Sequence, residues 1–222
     1  MQTFRQFTNK RLHPYRLYLC TAFLLTCALQ PSSAQVAPKL WTQQERQLLV
    51  AALQSSQNDF SKELMGLTQK QIHFKPDSTK WSIAQVAEHV GLYDELLYWD
   101  LLNNQYTPEM PEWVDKVKGL DSVMVAYTSD PVQLSAPFVA QPLGRFENKE
   151  GLLAYFNRFR GEVIHLVKET KADFRLHFIF RSPEAGVWRV RDLHQYTLLW
   201  IAHTQRHTNQ IKRIKACVNY PN

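Results

Sequence analysis

The chain has 222 residues, of which 45% are apolar, so it can bury one sizeable core, and its length favours a single domain. The formal net charge of +6 is concentrated at one end: residues 1–34 carry four basic and no acidic residues, which leaves +2 for the remainder. That balance, without a stripe of Lys and Arg interleaved with aromatic residues, predicts no nucleic-acid partner.

The N-terminus has the pattern of an export signal. Its positive region ends at Arg16, an apolar run occupies residues 17–29, and small residues precede a cleavage position after Ala34. The apolar run is shorter than the roughly 20 residues that a membrane span needs. We therefore predict a signal peptide over residues 1–34, a periplasmic or secreted protein, and no stable membrane span after signal removal. An uncleaved N-terminal anchor is the alternative.

The predicted domain, residues 35–222, begins with two well-marked helices. Thr42 and Glu45 form a capping box at the first, and Ser82 and Gln85 form one at the second. The second helix extends to about Asn104. Between the two helices, residues 68–80 are predicted to be a connector. Beyond the predicted signal, Cys217 is the single cysteine, so no disulfide within the mature chain is expected.

Residues 105–147 contain five prolines, which interrupt any long helix. The stretch is too long for an ordinary loop and too apolar for disorder, so it predicts an ordered crossover packed on the helices, or a lid. A short helical piece is expected around residues 113–120. The third helix is predicted to begin at Asn148 and to continue to about Thr170.

Residues 171–190 are ambiguous. Phe174, Leu176, Phe178 and Phe180 alternate with other residues, and residues 182–186 have turn composition, so a small hairpin is one alternative. Asp192 caps the fourth helix, which continues to about Ile214. Four amphipathic helices with one long connection predict an all-α fold: a four-helix bundle with a crossover between helices 2 and 3.

Three histidines lie on the apolar stripes of the predicted helices. His203 and His207 are four residues apart in the fourth helix, so their rings share one face, and His89 lies on the interior stripe of the second. A buried imidazole needs a partner for its nitrogens, and a metal ion is one. A zinc-protease helix carries Glu directly after the first histidine, but Thr204 is found here, so that class is excluded.

At this point the sequence resembles the DinB-like (YfiT-like) metal-binding four-helix bundles. The matching pieces cover roughly residues 42–216: Trp81-Ser82-Ile83 with His89, His203 to His207 followed by Gln210-Ile211, Pro142-Leu143-Gly144, and Phe156 with Arg160. The resemblance implies a divalent ion, zinc or nickel, held by His89, His203 and His207. Some members of that family are thiol-dependent transferases or isomerases, and many have no known activity. Because a divalent ion can activate water or another nucleophile, we expect a metal-dependent enzyme of hydrolase or transferase type. The predicted export signal argues against the thiol-transferase members, which use cytosolic thiols.

Several alternatives remain open at this stage. Instead of an enzyme acting on a small molecule, the chain could be a non-catalytic metal-binding or small-ligand-binding bundle. It could also be a structural bundle whose histidines pair only with polar groups, and a homodimer is one allowed assembly. Tyr93 and Gln210 lie within reach of a second layer around the metal, but ordinary core packing of Tyr93 and solvation of Gln210 are the slightly favoured expectation. Arg206 is expected on a solvated face or facing an anionic substrate. Of the other histidines, His194 is expected on a polar face.

Overall fold

The structure is a computed structural model, and it describes residues 39–129, 135–184 and 187–222. The predicted signal peptide, residues 1–34, lies outside the described residues. Among the described helices, none combines the length and apolarity that a membrane span requires.

The described part of the chain is predominantly helical. Four long helices form the bundle: α1 (Gln43–Leu64), α3 (Ile83–Asn104), α6 (Lys149–Glu169) and α7 (Leu193–Lys215). Three short helices lie in the connections: α2 (Gln69–Ile72), α4 (Val114–Val117) and α5 (Asp121–Ala126). Single 3-10 turns occur at Pro111–Trp113, Tyr127–Ser129 and Phe138–Ala140. The predicted four-helix bundle with a long crossover is confirmed.

The predicted helix starts are confirmed by side-chain caps. Thr42 and Ser82 form complete capping boxes at α1 and α3. At α7, Asp192 accepts a hydrogen bond from the Gln195 amide, which satisfies one of the free N–H groups of the first turn. The predicted connector at residues 68–80 contains one short helix, α2, which has its own capping box at Thr68.

A two-stranded antiparallel hairpin precedes α7. Strand β1 (Phe178–Glu184) pairs with β2 (Val187–Asp192). The alternating pattern that suggested a strand from Phe174 misplaces its start, because Phe174 instead stacks on the Trp41 ring at 4.4 Å. A lone hairpin is marginally stable. This one is fastened to the bundle, since the Leu193 amide donates to the carbonyls of Phe174 and His177, each at 3.0 Å.

The apolar core has two parts, one at each end of the bundle. One cluster contains Leu53 and Leu97, and the other contains Phe60 and Val90. Between them, all four long helices contribute buried polar side chains: Ser56, Asp94, Arg160, His203, Thr204 and, one turn further toward the second cluster, His89 and His207. The bundle therefore carries a polar layer at mid-height.

The crossover packs on α3 and α7, the two helices that carry the histidines. Its 3-10 turn at Tyr127–Ser129 lies against α7, and its turn at Phe138–Ala140 lies against α3. The two described ends of the crossover therefore flank the same region of the bundle. The short helix expected around residues 113–120 is found as α4, which is followed directly by α5.

Candidate metal centre

The structure brings all three predicted ligands together. His89, His203 and His207 are 4%, 5% and 9% exposed, and each offers a ring nitrogen within 4.8 Å of the others. The arrangement follows from the sequence spacing. His203 and His207 are one turn apart on α7, and α3 packs beside α7 with its interior stripe, including His89, facing that turn.

The donor spacing matches what a transition-metal ion needs. His203 Nε2 lies 3.3 Å from His89 Nε2 and 3.1 Å from His207 Nε2. A tetrahedral ion with bonds of about 2.0–2.1 Å separates neighbouring nitrogens by about 3.3 Å, and an octahedral ion separates them by about 2.9 Å. Both distances from His203 Nε2 lie in this range, so its spacing to the other two imidazoles suits a transition-metal ion such as zinc or nickel.

Hydrogen bonds on the far side of two rings orient the nitrogens. His89 Nδ1 lies 2.7 Å from the Ala140 carbonyl oxygen. A carbonyl can only accept, so Nδ1 carries the hydrogen and Nε2 presents its lone pair to the cluster. His207 Nδ1 lies 2.7 Å from Gln210 Oε1, which gives His207 the same orientation. Partners of this kind raise ligand basicity and hold the ring in place.

With these tautomers the three ring nitrogens offer more hydrogen-bond acceptors than donors. The lone pairs of His89 and His207 both point toward His203 Nε2, which can donate at most one hydrogen. At least one buried acceptor therefore lacks a donor, a situation that costs about 1–3 kcal/mol. A bound cation resolves the mismatch, because it accepts all three lone pairs at once.

The histidines are held neutral, which is the form that binds metal. Burial penalises the imidazolium and lowers the pKa of His89 to about 4 and that of His207 to about 3. For His203, burial followed by the neighbouring histidines and Arg206 and Arg160 lowers the pKa well below its ordinary value. At neutral pH, protons therefore do not compete for the three nitrogens.

A buried ion pair, Arg160 with Asp94, lies next to the three histidines. Arg160, fully buried, donates from Nε and Nη2 to the two oxygens of Asp94 at 2.7 and 3.1 Å. The same guanidinium donates to Ser56 Oγ and to Thr204 Oγ1, each at 2.7 Å. Because Thr204 directly follows His203, one side chain links α1, α3, α6 and α7 at the level of the three histidines.

Four partly exposed aromatic rings border the histidines: Trp81, Tyr93, Tyr127 and Trp200. The Tyr93 ring lies 4.7 Å from the His89 ring and 4.5 Å from the His203 ring. Tyr127, from the crossover, lies parallel to His203 at 6.3 Å, and the Arg206 guanidinium lies 5.3 Å from its ring centroid. Aromatic rings therefore border the three histidines on the side away from Arg160 and Asp94.

The structure corrects several expectations about single residues. Gln210 is not merely solvated but is bonded to His207. Asp94 and Glu95 are off the His89 face, as their helical angles predict, and they pair with Arg160 and Tyr155. The Ala140 carbonyl had no signal in the sequence, because a backbone acceptor in an irregular segment leaves no side-chain pattern.

His194 was expected on a polar face, and this was wrong. It is 6% exposed, and its Nδ1 accepts a hydrogen bond from Trp41 Nε1 at 3.0 Å. It belongs to a polar cluster at the start of α7, where Arg175 contacts the carboxylates of Asp121 and Asp192. Burial and Arg175 lower the pKa of His194 to about 4. This cluster joins α1, α5 and the hairpin to α7.

The fold and the histidines define a class: a helical bundle with a candidate divalent-metal centre between two of its long helices. Comparison with known proteins agrees. Residues 52–211 match the DinB superfamily, and since this is most of the chain, the chain belongs to that family. A search of curated proteins finds no significant match.

One solved structure with the same fold is YfiT from Bacillus subtilis, described as a probable metal-dependent hydrolase with an unusual four-helix bundle topology. The TM-score is 0.55 and the sequences are 12% identical, over 83% of this chain and 93% of YfiT. At this identity the likeness shows the fold. The family resemblance inferred from the sequence motifs is confirmed by the family match, and the fold is confirmed by the structural one.

Proposed function

We propose that the protein is a metal-dependent enzyme of hydrolase or transferase type, with zinc or nickel bound by His89, His203 and His207. The observation that carries the proposal is the convergence of three neutral imidazole nitrogens spaced at 3.1 and 3.3 Å. The description of YfiT as a probable metal-dependent hydrolase supports the hydrolytic alternative. A divalent ion held by His89, His203 and His207 would supply Lewis acidity for the activation of water or another nucleophile.

The protein's own residues would position the ligand rings and exclude solvent from the ion. The Ala140 carbonyl and Gln210 hold two ligand rings in their metal-binding tautomers. Tyr93 packs between His89 and His203 and limits the approach of solvent from that side. The bordering aromatic rings offer apolar contact area to a small-molecule substrate, and apolar surfaces with a few polar groups are typical of ligand sites.

A second candidate is a non-catalytic metal-binding bundle, and one observation favours it. A hydrolase needs a general base near the reacting atom. The two buried carboxylates nearest the site in sequence are already engaged: Glu88 by backbone amides and Arg145, and Asp94 by Arg160. Neither is free to take a proton from a nucleophile without breaking a buried interaction.

The experiment that separates the two candidates measures metal content and turnover on the same preparation. The purified protein is loaded with zinc or nickel and assayed against a panel of small esters, amides and phosphoesters, with His203→Ala as the site variant. Turnover that requires both the metal and His203 supports the enzyme. Stoichiometric metal with no turnover on any class supports the binding module, and absence of metal after loading contradicts both.

We also propose that the protein is exported through cleavage after Ala34, which is supported by the charged, apolar and small-residue regions of residues 1–34. The full chain is expressed in a bacterium, the compartments are separated, and the N-terminus of the recovered protein is sequenced. A periplasmic or secreted protein that begins at Gln35 is the expected result. A cytosolic protein that retains residues 1–34 contradicts the proposal, and a membrane-bound one supports the uncleaved anchor.

A further inference from the structure

Glu88 directly precedes the metal-ligand candidate His89, but it faces away from the three nitrogens. It is 2% exposed, and its carboxylate accepts backbone hydrogen bonds from Leu143 at 3.0 Å, Gly144 at 2.9 Å and Arg145 at 3.4 Å. Three consecutive amides converging on one carboxylate form an anion-binding concavity of the kind seen in nests. The left-handed φ of Gly144, +74°, makes this turn possible.

The Arg145 side chain closes the arrangement. Its Nη1 donates to Glu88 Oε1 at 2.6 Å and to the Gln141 carbonyl at 3.1 Å, so the guanidinium bridges the segment back to α3. Arg145 is 38% exposed, whereas Glu88 is buried. The buried carboxylate and the backbone amides are therefore the central part of the contact, and the guanidinium is its outer edge.

The same segment provides the hydrogen-bond partner of His89. Ala140, fully buried, lies three residues before Leu143, and its carbonyl oxygen is 2.7 Å from His89 Nδ1. Two consecutive residues of α3, Glu88 and His89, are thus hydrogen-bonded to one segment of the crossover, residues 140–145. The hydrogen bonds described between residues 143–145 and α3 all end on the Glu88 carboxylate.

We propose that Glu88 is a positioning residue of the metal centre. It fixes the crossover segment 140–145 so that the Ala140 carbonyl holds His89 in the tautomer and direction that present Nε2 to the ion. This proposal rests on the proposed metal binding. Loss of the direct hydrogen-bond partner of a ligating histidine changes metal affinity by about 10–100-fold, and Glu88 would act by holding that partner, the Ala140 carbonyl, in place.

The competing explanation is that Glu88 merely stabilises a loop, and the chain offers a matched control for it. Asp173, 4% exposed, also accepts backbone hydrogen bonds, from the amides of Leu40, Trp41 and Arg175. Asp173 lies beside the polar cluster at the start of α7, through its contact with Arg175. His203 is ten residues beyond Leu193 on this helix, and ten residues span about 15 Å at the helical rise. Both variants, Glu88→Gln and Asp173→Asn, should lower stability, because each replaces an accepting carboxylate oxygen with an NH2 group. That NH2 group then faces a backbone N–H, and two donors cannot form a hydrogen bond.

A second pair of variants perturbs the same segment from the loop side. Gly144 and Gly66 both have a left-handed φ, +74° and +77°, and neither would meet an atom within 4 Å of an added Cβ. Alanine therefore introduces similar backbone strain at both positions. Of the two glycines, Gly144 alone belongs to the segment that is hydrogen-bonded to Glu88.

The experiment measures zinc affinity by competition with a chromogenic chelator, together with the side-chain nitrogen spectrum of His89 in the metal-free protein. We expect Glu88→Gln and Gly144→Ala to lose at least tenfold in affinity, and Asp173→Asn and Gly66→Ala to stay within about twofold of the wild type. In Glu88→Gln the protected Nδ1–H signal of His89 should disappear or report mixed tautomers.

Equal affinity in all four variants, with the His89 signal retained, overturns the proposal and leaves Glu88 a loop anchor. If the wild type binds neither zinc nor nickel, the proposed metal function fails. The metal-free His89 spectrum then decides on Glu88 by itself: loss of the signal in Glu88→Gln supports the positioning role, and its retention overturns it.

Discussion

Arg160→Met should severely destabilise the metal-free bundle. Arg160 is fully buried and Asp94 is 3% exposed, so the substitution leaves a carboxylate uncompensated in the polar layer. Breaking a buried ion pair from one side costs about 3–5 kcal/mol. A domain has a total stability of about 5–15 kcal/mol, so a large fraction of the unfolding free energy should be lost. Urea unfolding at pH 7 in the presence of a chelator measures the loss.

The double variant Arg160→Met/Asp94→Leu gives the more informative comparison. With both charges removed, no uncompensated ion remains, and we expect stability to return to within about 1–2 kcal/mol of the wild type. The two hydroxyls that lose Arg160 keep backbone acceptors, since Ser56 also donates to the Leu53 carbonyl and Thr204 to the Trp200 carbonyl, each at 3.0 Å.

Arg158→Met is the matched control, because Arg158 is an exposed arginine on the same helix, and we expect a change within about 0.5 kcal/mol. The reasoning is refuted if Arg160→Met costs less than about 1 kcal/mol. It is equally refuted if the two single losses simply add in the double variant, since additivity means that Arg160 and Asp94 do not depend on each other.

Three further outcomes are expected. Zinc at 100 times its dissociation constant should stabilise the wild type by about 2.7 kcal/mol in thermal unfolding, and His207→Ala should abolish this gain. In metal-free protein the pKa of His89 is about 4 against an ordinary 6.5, so the unfolded chain binds more protons between these values. Acidification from pH 7 to 4 should therefore destabilise the wild type through His89 by roughly 3 kcal/mol, and His89→Asn should lose correspondingly less in urea titrations at each pH. Asp192→Ala removes the α7 cap and should cost at least about 1 kcal/mol in urea unfolding.

The bundle helices could be predicted from the sequence because their signals are local. Thr42, Ser82, Asn148 and Asp192 mark the starts, and apolar residues at intervals of three and four define the buried faces. The three histidines could be chosen for the same reason: each occupies a position on a buried stripe, where a polar ring needs a partner. The order of the motifs along the chain then indicated the family.

The interactions that support the histidines could not be predicted, because they depend on how the helices are rotated and how closely they approach. Arg160 lies next to the apolar stripe of α6, and its position alone does not say whether it meets solvent or Asp94 on another helix. The Ala140 carbonyl and the Glu88 contact depend on the path of the crossover, which has no periodicity to read. Polar networks of this kind are determined by tertiary structure.

The polar layer links stability and site geometry. Arg160 donates to Thr204, which directly follows His203, and Thr204 donates in turn to the Trp200 carbonyl, three residues before His203. A change in the Arg160–Asp94 ion pair should therefore alter the geometry of the three histidines, whereas a change in the cluster around Arg175 at the start of α7 should not. Measuring zinc affinity in Arg160→Met/Asp94→Leu separates the two effects, because this variant restores stability without restoring the contact to Thr204.

The most direct test of the central claim is the metal content of the purified full chain, measured by elemental analysis after equilibration with zinc and nickel. The wild type should retain about one ion per chain, and His89→Ala, His203→Ala and His207→Ala should each lose it. The control His165→Ala, which changes an exposed histidine of α6, should retain the ion. Stoichiometric metal in all three site variants, or none in the wild type, would contradict the account.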